Sequence, residues 1–315
     1  MNQSQSAASG IRVLDCHAHF PLASPRRKAN TIIEQYESQR DHRMRLEWDF
    51  PARDEPPGTP EEIEETMRLW KAEVDKYDLD RVVFVTGGGN EQLARVIGMH
   101  PDRFLGFSHH HFETEDALGK LERAHQELGL RGIKLLAPRF SRRFEDEEFR
   151  PLWEYASEHR LPVLIHFGRL GKAGGVAYHP LINPLTLFPV ASKYPEIPFI
   201  VPHFGCGYVR ELLHLCWSCP NVYVDTSGSN QWALWEPSPL GLDDLFRRFY
   251  ETVGPERIIF GTDSSWFPRG FVYRYLQDQL RTCRQLAFKE EDIAQIFGGN
   301  ARRLLGLPEE TATQA

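Results

Sequence analysis

Two histidines spaced i, i+2, His17 and His19, close an apolar run near the start of the chain, IRVLDCHAH. In a strand, alternate side chains share a face, so both imidazoles point to one side while Cys16 and Ala18 point to the other. Two imidazoles so placed can share a metal ion, although the spacing alone fits two polar strand-end residues as well. Other apolar runs end in the same residue types: His166 in PVLIHF, His203 in PFIVPH, and Asp263 directly after RIIFGT. Histidine and aspartate hold a borderline divalent ion while leaving one position open for water. Such an ion lowers the pKa of its water toward about 7, which suits the group to hydrolysis at neutral pH.

These five side chains meet only if the runs carrying them lie side by side. Eight runs fit strands: 11–17, 81–86, 103–109, 132–137, 162–167, 198–203, 221–226 and 257–262. Most are separated by roughly 20–35 residues, the room a helical crossover needs to return the chain to a parallel neighbour. Amphipathic segments fill the gaps at 59–77, 144–159, 207–219 and 242–254. The first of these starts with Thr59 as a cap and Pro60 in the first turn, so its acidic run Glu61 to Glu65 reads as a solvated helix start.

Eight near-continuous apolar strands alternating with helices predict a closed (β/α)₈ barrel, whose strand C-termini converge on one face. An open doubly wound sheet would show a glycine fingerprint after its first strand, where this chain has DCHAHF. Gly87-Gly88-Gly89 lacks phosphate-loop spacing and reads as a turn. Two segments exceed a plain turn: 20–58, an insertion after the first strand, and the glycine-rich 168–183. Both leave the substrate face and are candidate lids or specificity loops.

A length of 315 residues, 41% of them hydrophobic, suits one large soluble domain, taken here as 11–307 between tails at 1–10 and 308–315. A net charge of −7 argues against nucleic acid and gives no reason for a membrane surface. The polar start MNQSQSAASG lacks a signal-peptide pattern, and five cysteines fit reduced thiols, so a cytoplasmic location is expected. Cys216 and Cys219 have C-x-x-C spacing but no second ligand pair, and read as packed thiols.

The ordered set of H-x-H on strand one, histidines on strands five and six and aspartate after strand eight resembles the amidohydrolase superfamily. GIKLLA, PHFG, VDTSG, GTDSSW and IFGGNARRLLGL strengthen the likeness to its amidohydrolase-related (amidohydrolase 2) branch. That branch holds aminocarboxymuconate-semialdehyde decarboxylase and pyrone-dicarboxylate lactonase. The resemblance implies that His17, His19, His166 and Asp263 hold one divalent ion, zinc in the first instance, with manganese or another ion open. It places His203 beside the water or the substrate oxygen. Asp263 then serves as proton acceptor and donor, and His203 as a donor to developing oxyanion charge. Lys134 on strand four either bridges a second ion, as in binuclear members, or meets the substrate; one ion is the expectation. Arg169, His109 and Trp266 are candidate substrate contacts, with Trp232 and Trp235 as pocket walls and Lys172 as a further loop cation. The expected partner is a small molecule, and relatives of this branch are often homodimers. Hydrolysis of an amide, ester or lactone is the leading expectation; decarboxylation of an aromatic or unsaturated acid on the same scaffold is the alternative. A silent binding barrel fits the complete ligand set least well.

Overall fold

Each of the eight runs forms a strand in the computed structural model, which describes residues 10–22, 31–48, 55–171 and 175–308. The strands are β1 (Leu14–His19), β2 (Arg81–Thr86), β3 (Phe104–Gly106), β4 (Ile133–Leu136), β5 (Val163–His166), β6 (Phe199–Val201), β7 (Val222–Asp225) and β8 (Ile258–Ile259). All pairings are parallel, in the orders β1-β2-β3 and β4-β5-β6-β7-β8. Two isolated parallel bridges, Ser108 with Ile133 and Ala18 with Ser264, join the two sets at both seams and close the barrel.

The helices are α1 (Thr31–Trp48), α2 (Pro60–Lys76), α3 (Asn90–Ile97), α4 (Ala117–Gln126), α5 (Arg150–Glu158), α6 (Phe188–Lys193), α7 (Val209–Ser218), α8 (Leu242–Val253), α9 (Tyr273–Gln285), α10 (Glu290–Ala294) and α11 (Asn300–Leu304). The Thr59 cap is present in α2: its hydroxyl accepts from the Glu62 N–H, and the Glu62 carboxylate accepts from the Thr59 N–H. Outward strand residues such as Val82, Phe84, Ile133 and Val163 pack against the helical ring. Trp70 of α2, fully buried, sits edge-on to Phe84 and Phe267.

The barrel interior is divided by chemistry. Its lower part is apolar, with Leu14, Cys16, Val83, Val85, Leu105, Leu164, Ile200 and Ile259, closed below by Ala301 and Leu305. Above it, toward the strand C-termini, lie His17, His166, Asp225, Ser227 and Thr262, all buried, and buried with them are Asp15 and Lys134, the second residues of β1 and β4. Burying that many polar groups is tolerable only because they bond to one another, as described below.

β1 departs from the strict alternation expected of it. Its pairing with β2 shifts from Asp15–Val82 to Ala18–Phe84, three residues of β1 against two of β2, and the register is restored at His19–Thr86. The bulge leaves Cys16 in the interior apolar cluster, apart from Ala18, and turns His17 inward directly above it. His17 and His19 still face the same space, with ring centroids 5.2 Å apart.

The insertion after β1 includes α1, a helix in which no described side chain is buried. Cys216 and Cys219 are free and buried, as packed thiols should be. Residues 1–9 and 309–315 of the expected tails, and Lys172, lie outside the described residues. Among the described residues no helix is long and apolar enough to cross a membrane.

Candidate active site

His17, the inward residue of the bulge, donates from Nδ1 to the Asp225 carboxylate at 2.6 Å. An ionised carboxylate can only accept, so the proton stays on Nδ1 and the Nε2 lone pair is presented to the cavity. That Nε2 stands 3.8 Å from Asp263 Oδ1 and 3.4 Å from Lys134 Nζ. His19 is set the same way: Nδ1 meets the Thr86 hydroxyl at 2.6 Å and Nε2 lies 3.0 Å from Asp263 Oδ1. One ligand atom from each of His17, His19 and Asp263 falls within 4.8 Å of the other two, close enough to share a metal ion.

The charge states suit that use. Burial, with Lys134 nearby, holds His17 well below the usual histidine range, so its imidazole is neutral. Burial raises Asp263, but the His19 hydrogen bond and the imidazoles of His203, His19 and His17 outweigh it and keep the carboxyl well below its ordinary range. Two imidazoles oriented by Asp225 and Thr86, facing a carboxylate, are the donor set a divalent ion takes from a protein. The residues present therefore fit such an ion.

His166 and His203 extend this group. His166 donates from Nε2 to the Arg169 carbonyl at 3.0 Å, which leaves Nδ1 as the nitrogen with a lone pair. Burial, with His203 and Lys134 beside it, pushes His166 down to about 3. It stands outside the three-residue group, next to His203, with ring centroids 5.2 Å apart. His203 Nδ1 lies 3.1 Å from the Ser227 carbonyl and 2.9 Å from its hydroxyl, so Nε2 is the nitrogen left for the cavity. Both His203 and Asp263 have φ of +59°, in the left-handed region that costs a non-glycine residue energy, a pattern concentrated at functional sites.

Lys134 is 4% exposed, and burial lowers it to about 8. Asp15, also buried, is pushed up to about 7 by desolvation against hydrogen bonds from Thr262 and His17. Gly261 shows how tightly the floor is packed. A Cβ there would lie 2.9 Å from His17 Cβ, 3.0 Å from Asp225 Oδ1 and 3.1 Å from Ser227 Cβ. Gly261→Ala should therefore cost about 1–3 kcal/mol of stability, read as a fall in Tm, together with weaker metal binding.

A cavity of about 620 Å³ opens above this floor. Asp263, His166 and His203 form its base; Arg169, Arg40 and Arg43 bring guanidinium groups to it, and Tyr36, Trp232 and Trp235 supply aromatic walls. Tyr36, Arg40 and Arg43 come from α1 at i, i+4 and i+7, which puts them on one face of the helix. Arg169 also stacks over Trp235, at 5.5 Å from the ring centroid.

Of the expected substrate contacts, Arg169 lines this cavity and Lys134 reaches its floor through His17. His109 binds the turn after β2: its Nε2 accepts from the Gly89 N–H at 2.9 Å, and Nδ1 lies 3.3 Å from the Phe107 carbonyl. Trp266 lines a separate cavity with Glu61, Glu65 and Phe267, and carries Arg269 over its ring at 4.5 Å. Sequence reading assigned no role to Asp225, Ser227, Thr86, Arg40 or Arg43. Asp225 and Thr86 carried the same signal as the histidines, since each closes its strand.

A family model described as amidohydrolase matches residues 14–307, a span that takes in all eight strands. Among curated proteins, 2-amino-3-carboxymuconate-6-semialdehyde decarboxylase of Dictyostelium discoideum is 23% identical over 260 residues, 76% of this chain and 69% of that protein. A 93-residue stretch is 31% identical to Protein fluG of Emericella nidulans, covering 28% of this chain and only 10% of that relative's length. Among solved structures, a probable 2-pyrone-4,6-dicarboxylic acid hydrolase from Acinetobacter baumannii superposes with a TM-score of 0.61 at 16% identity, covering 94% of this chain and 100% of that one. The 5-carboxyvanillate decarboxylase of Novosphingobium aromaticivorans, complexed with manganese, gives 0.60 at 19% identity, covering 98% and 100%. At these identities the two structures speak for the shared barrel alone.

Proposed function

The chain belongs to the amidohydrolase family, and from that premise we propose that it is a metal-dependent hydrolase of small amides, esters or lactones that carry a carboxylate. His17, His19, His166 and Asp263 would hold one divalent ion, with zinc the first expectation. Manganese is a direct alternative, since the decarboxylase relative from Novosphingobium aromaticivorans binds it. Such an ion would supply Lewis acidity and make water more acidic at neutral pH.

The observation that carries hydrolysis is the division of labour within Asp263. Its Oδ1 faces the two imidazoles at 3.0 and 3.8 Å, while Oδ2 turns toward Gly228, on the side of His203. One carboxylate thus borders both the ion site and the space where substrate enters. Asp263 accepts the proton of the attacking water at Oδ2 and returns it to the leaving group. With the Ser227 hydroxyl donating to its Nδ1, His203 would donate from Nε2 to the oxygen on which negative charge develops. Gly228 packs against the Ser227 side of the His203 ring, where a Cβ would sit 3.1 Å from Nδ1.

The carboxylate preference rests on Arg169, Arg40 and Arg43 around one cavity. Guanidinium groups match carboxylates in geometry as well as charge. Arg169→Met should raise KM about tenfold with kcat within about twofold, because a contact equal in ground and transition states affects binding alone. A KM unchanged in Arg169→Met, Arg40→Met and Arg43→Met would remove the carboxylate from the proposal.

The same cavity supports a second reading, non-oxidative decarboxylation. Guanidinium groups beside Trp232, Trp235 and Tyr36 suit a planar aromatic acid, and two of the relatives are decarboxylases. Metal-loaded protein incubated with lactones, amides and hydroxybenzoates separates the two. Acid release without carbon dioxide is the expected result; carbon dioxide without hydrolytic product would make the enzyme a carboxy-lyase.

A further inference from the structure

Three of the four residues assigned to the ion come from opposite sides of one of the two seams that close the barrel through a single isolated bridge. His17 and His19 stand on β1 and Asp263 follows β8, a strand of two residues. Regular ladder pairing between these strands is reduced to one isolated bridge, Ala18 with Ser264. Main-chain bonds from Cys16 N–H to the Phe260 carbonyl (3.1 Å), from Asp263 N–H to the His17 carbonyl (2.7 Å) and from His19 N–H to the Ser264 carbonyl (2.8 Å) carry the rest.

Asp15 sits beneath this seam, fully buried and outside the group that can share an ion. Its Oδ1 accepts two main-chain N–H groups, from His17 at 3.1 Å and from Thr262 at 3.0 Å. Its Oδ2 accepts the Thr262 hydroxyl, and that hydroxyl lies 2.6 Å from Ser264 Oγ, which accepts the Val272 N–H at 3.0 Å. The bond to His17 spans the β1 bulge, the irregularity that turns the imidazole inward. The bond to Thr262 holds the residue before Asp263. One carboxyl group therefore ties the main chain of one proposed ligand to the neighbour of another.

We propose that Asp15 and Thr262 are positioning residues, a buried clasp across the β1–β8 seam that sets the spacing between the His17 imidazole and the Asp263 carboxylate. The clasp rests on the metal-dependent reading of the site, although it touches neither ion nor substrate. It needs an acceptor at Oδ1 for two N–H groups. At the other atom it needs only a polar partner for Thr262, because a hydroxyl both donates and accepts. Asparagine can supply both; alanine supplies neither.

The test uses the full chain as wild type, Asp15→Ala, Asp15→Asn and Thr262→Val, titrated with Mn²⁺ or Co²⁺ alone. Asp15→Ala should bind the ion about tenfold or more weakly, the usual scale for losing a group that orients a ligand. The visible spectrum of bound Co²⁺ should shift with the altered ligand geometry, and kcat should fall with KM nearly unchanged. Asp15→Asn should restore affinity to within about threefold of wild type on the same scale. In metal-free protein, amide hydrogen exchange at His17 and Thr262 should speed up in Asp15→Ala and return to normal in Asp15→Asn. Wild-type affinity and spectrum in Asp15→Ala would overturn the clasp, as would an asparagine variant as impaired as alanine. Should Asp15→Ala not fold, Thr262→Val carries the test, since it removes the hydroxyl and keeps the main-chain bond. It too should weaken ion binding and shift the Co²⁺ spectrum; wild-type behaviour overturns the clasp. If wild type takes up no ion, the metal reading fails, and the exchange rates alone decide whether the clasp stands.

Discussion

Asp263→Asn should lower kcat by about 10³-fold, within the range seen when a positioned proton-transfer group is lost. Asparagine keeps the shape of the side chain and tolerates the left-handed φ of +59° at this position, so the fold should survive the change. What it removes is the negative charge that faces His19 at 3.0 Å and His17 at 3.8 Å, together with the basic oxygen on the substrate side. Ion content after dialysis should fall below one equivalent. KM should change little, because the guanidinium groups that would bind substrate lie elsewhere in the cavity. Chelation of wild type should give a comparable loss, and added ion should rescue wild type but not the variant. An asparagine variant that keeps a full equivalent of ion and wild-type kcat would take Asp263 out of the chemistry.

The barrel was legible because its signal is repeated. Eight apolar runs at crossover spacing admit few topologies, and each run overlaps an observed strand. The strand-end residues were legible for the same reason, since parallel strands bring their C-termini to one face whatever lies between them. The rest depended on facts that spacing does not carry. A bulge in β1 moves Cys16 away from Ala18, and nothing in LDCHAH marks it except Asp15, whose role appears only once Thr262 lies beside it. His109 looked like a strand-end site residue, but its Nε2 is taken by the Gly89 N–H in the turn after β2 and its Nδ1 by the Phe107 carbonyl just past β3. Trp266 follows β8 as a pocket wall should, yet the chain turns it toward α2 and a different cavity. Arg40 and Arg43 lay in a polar insertion with no apolar stripe, where helix periodicity gives no hint of which face meets the barrel.

Asp225→Asn should weaken ion binding about 10- to 100-fold while leaving every proposed ligand in place. The reason is the proton on His17. Asp225 Oδ1 accepts the Ser227 N–H at 2.6 Å, and Oδ2 faces His17 Nδ1 at 2.6 Å. An asparagine that keeps its oxygen on the Ser227 N–H must turn its amide nitrogen toward His17. Two donors then face each other unless the imidazole moves its proton to Nε2, the nitrogen that points at Asp263 and the ion site. The ligand is retained and its lone pair is turned away. Flipping the amide relieves His17 only by setting the amide nitrogen against the Ser227 N–H, and burial excludes water from repairing either clash. Competition with a chelator of known affinity measures the loss, and nitrogen chemical shifts of the His17 ring report the tautomer directly. Weaker binding with Nδ1 still protonated would place the effect in the lost charge of Asp225. Undiminished affinity would mean that His17 reaches no ion through Nε2, and the β1 end of the proposed ligand set would have to be redrawn around His19.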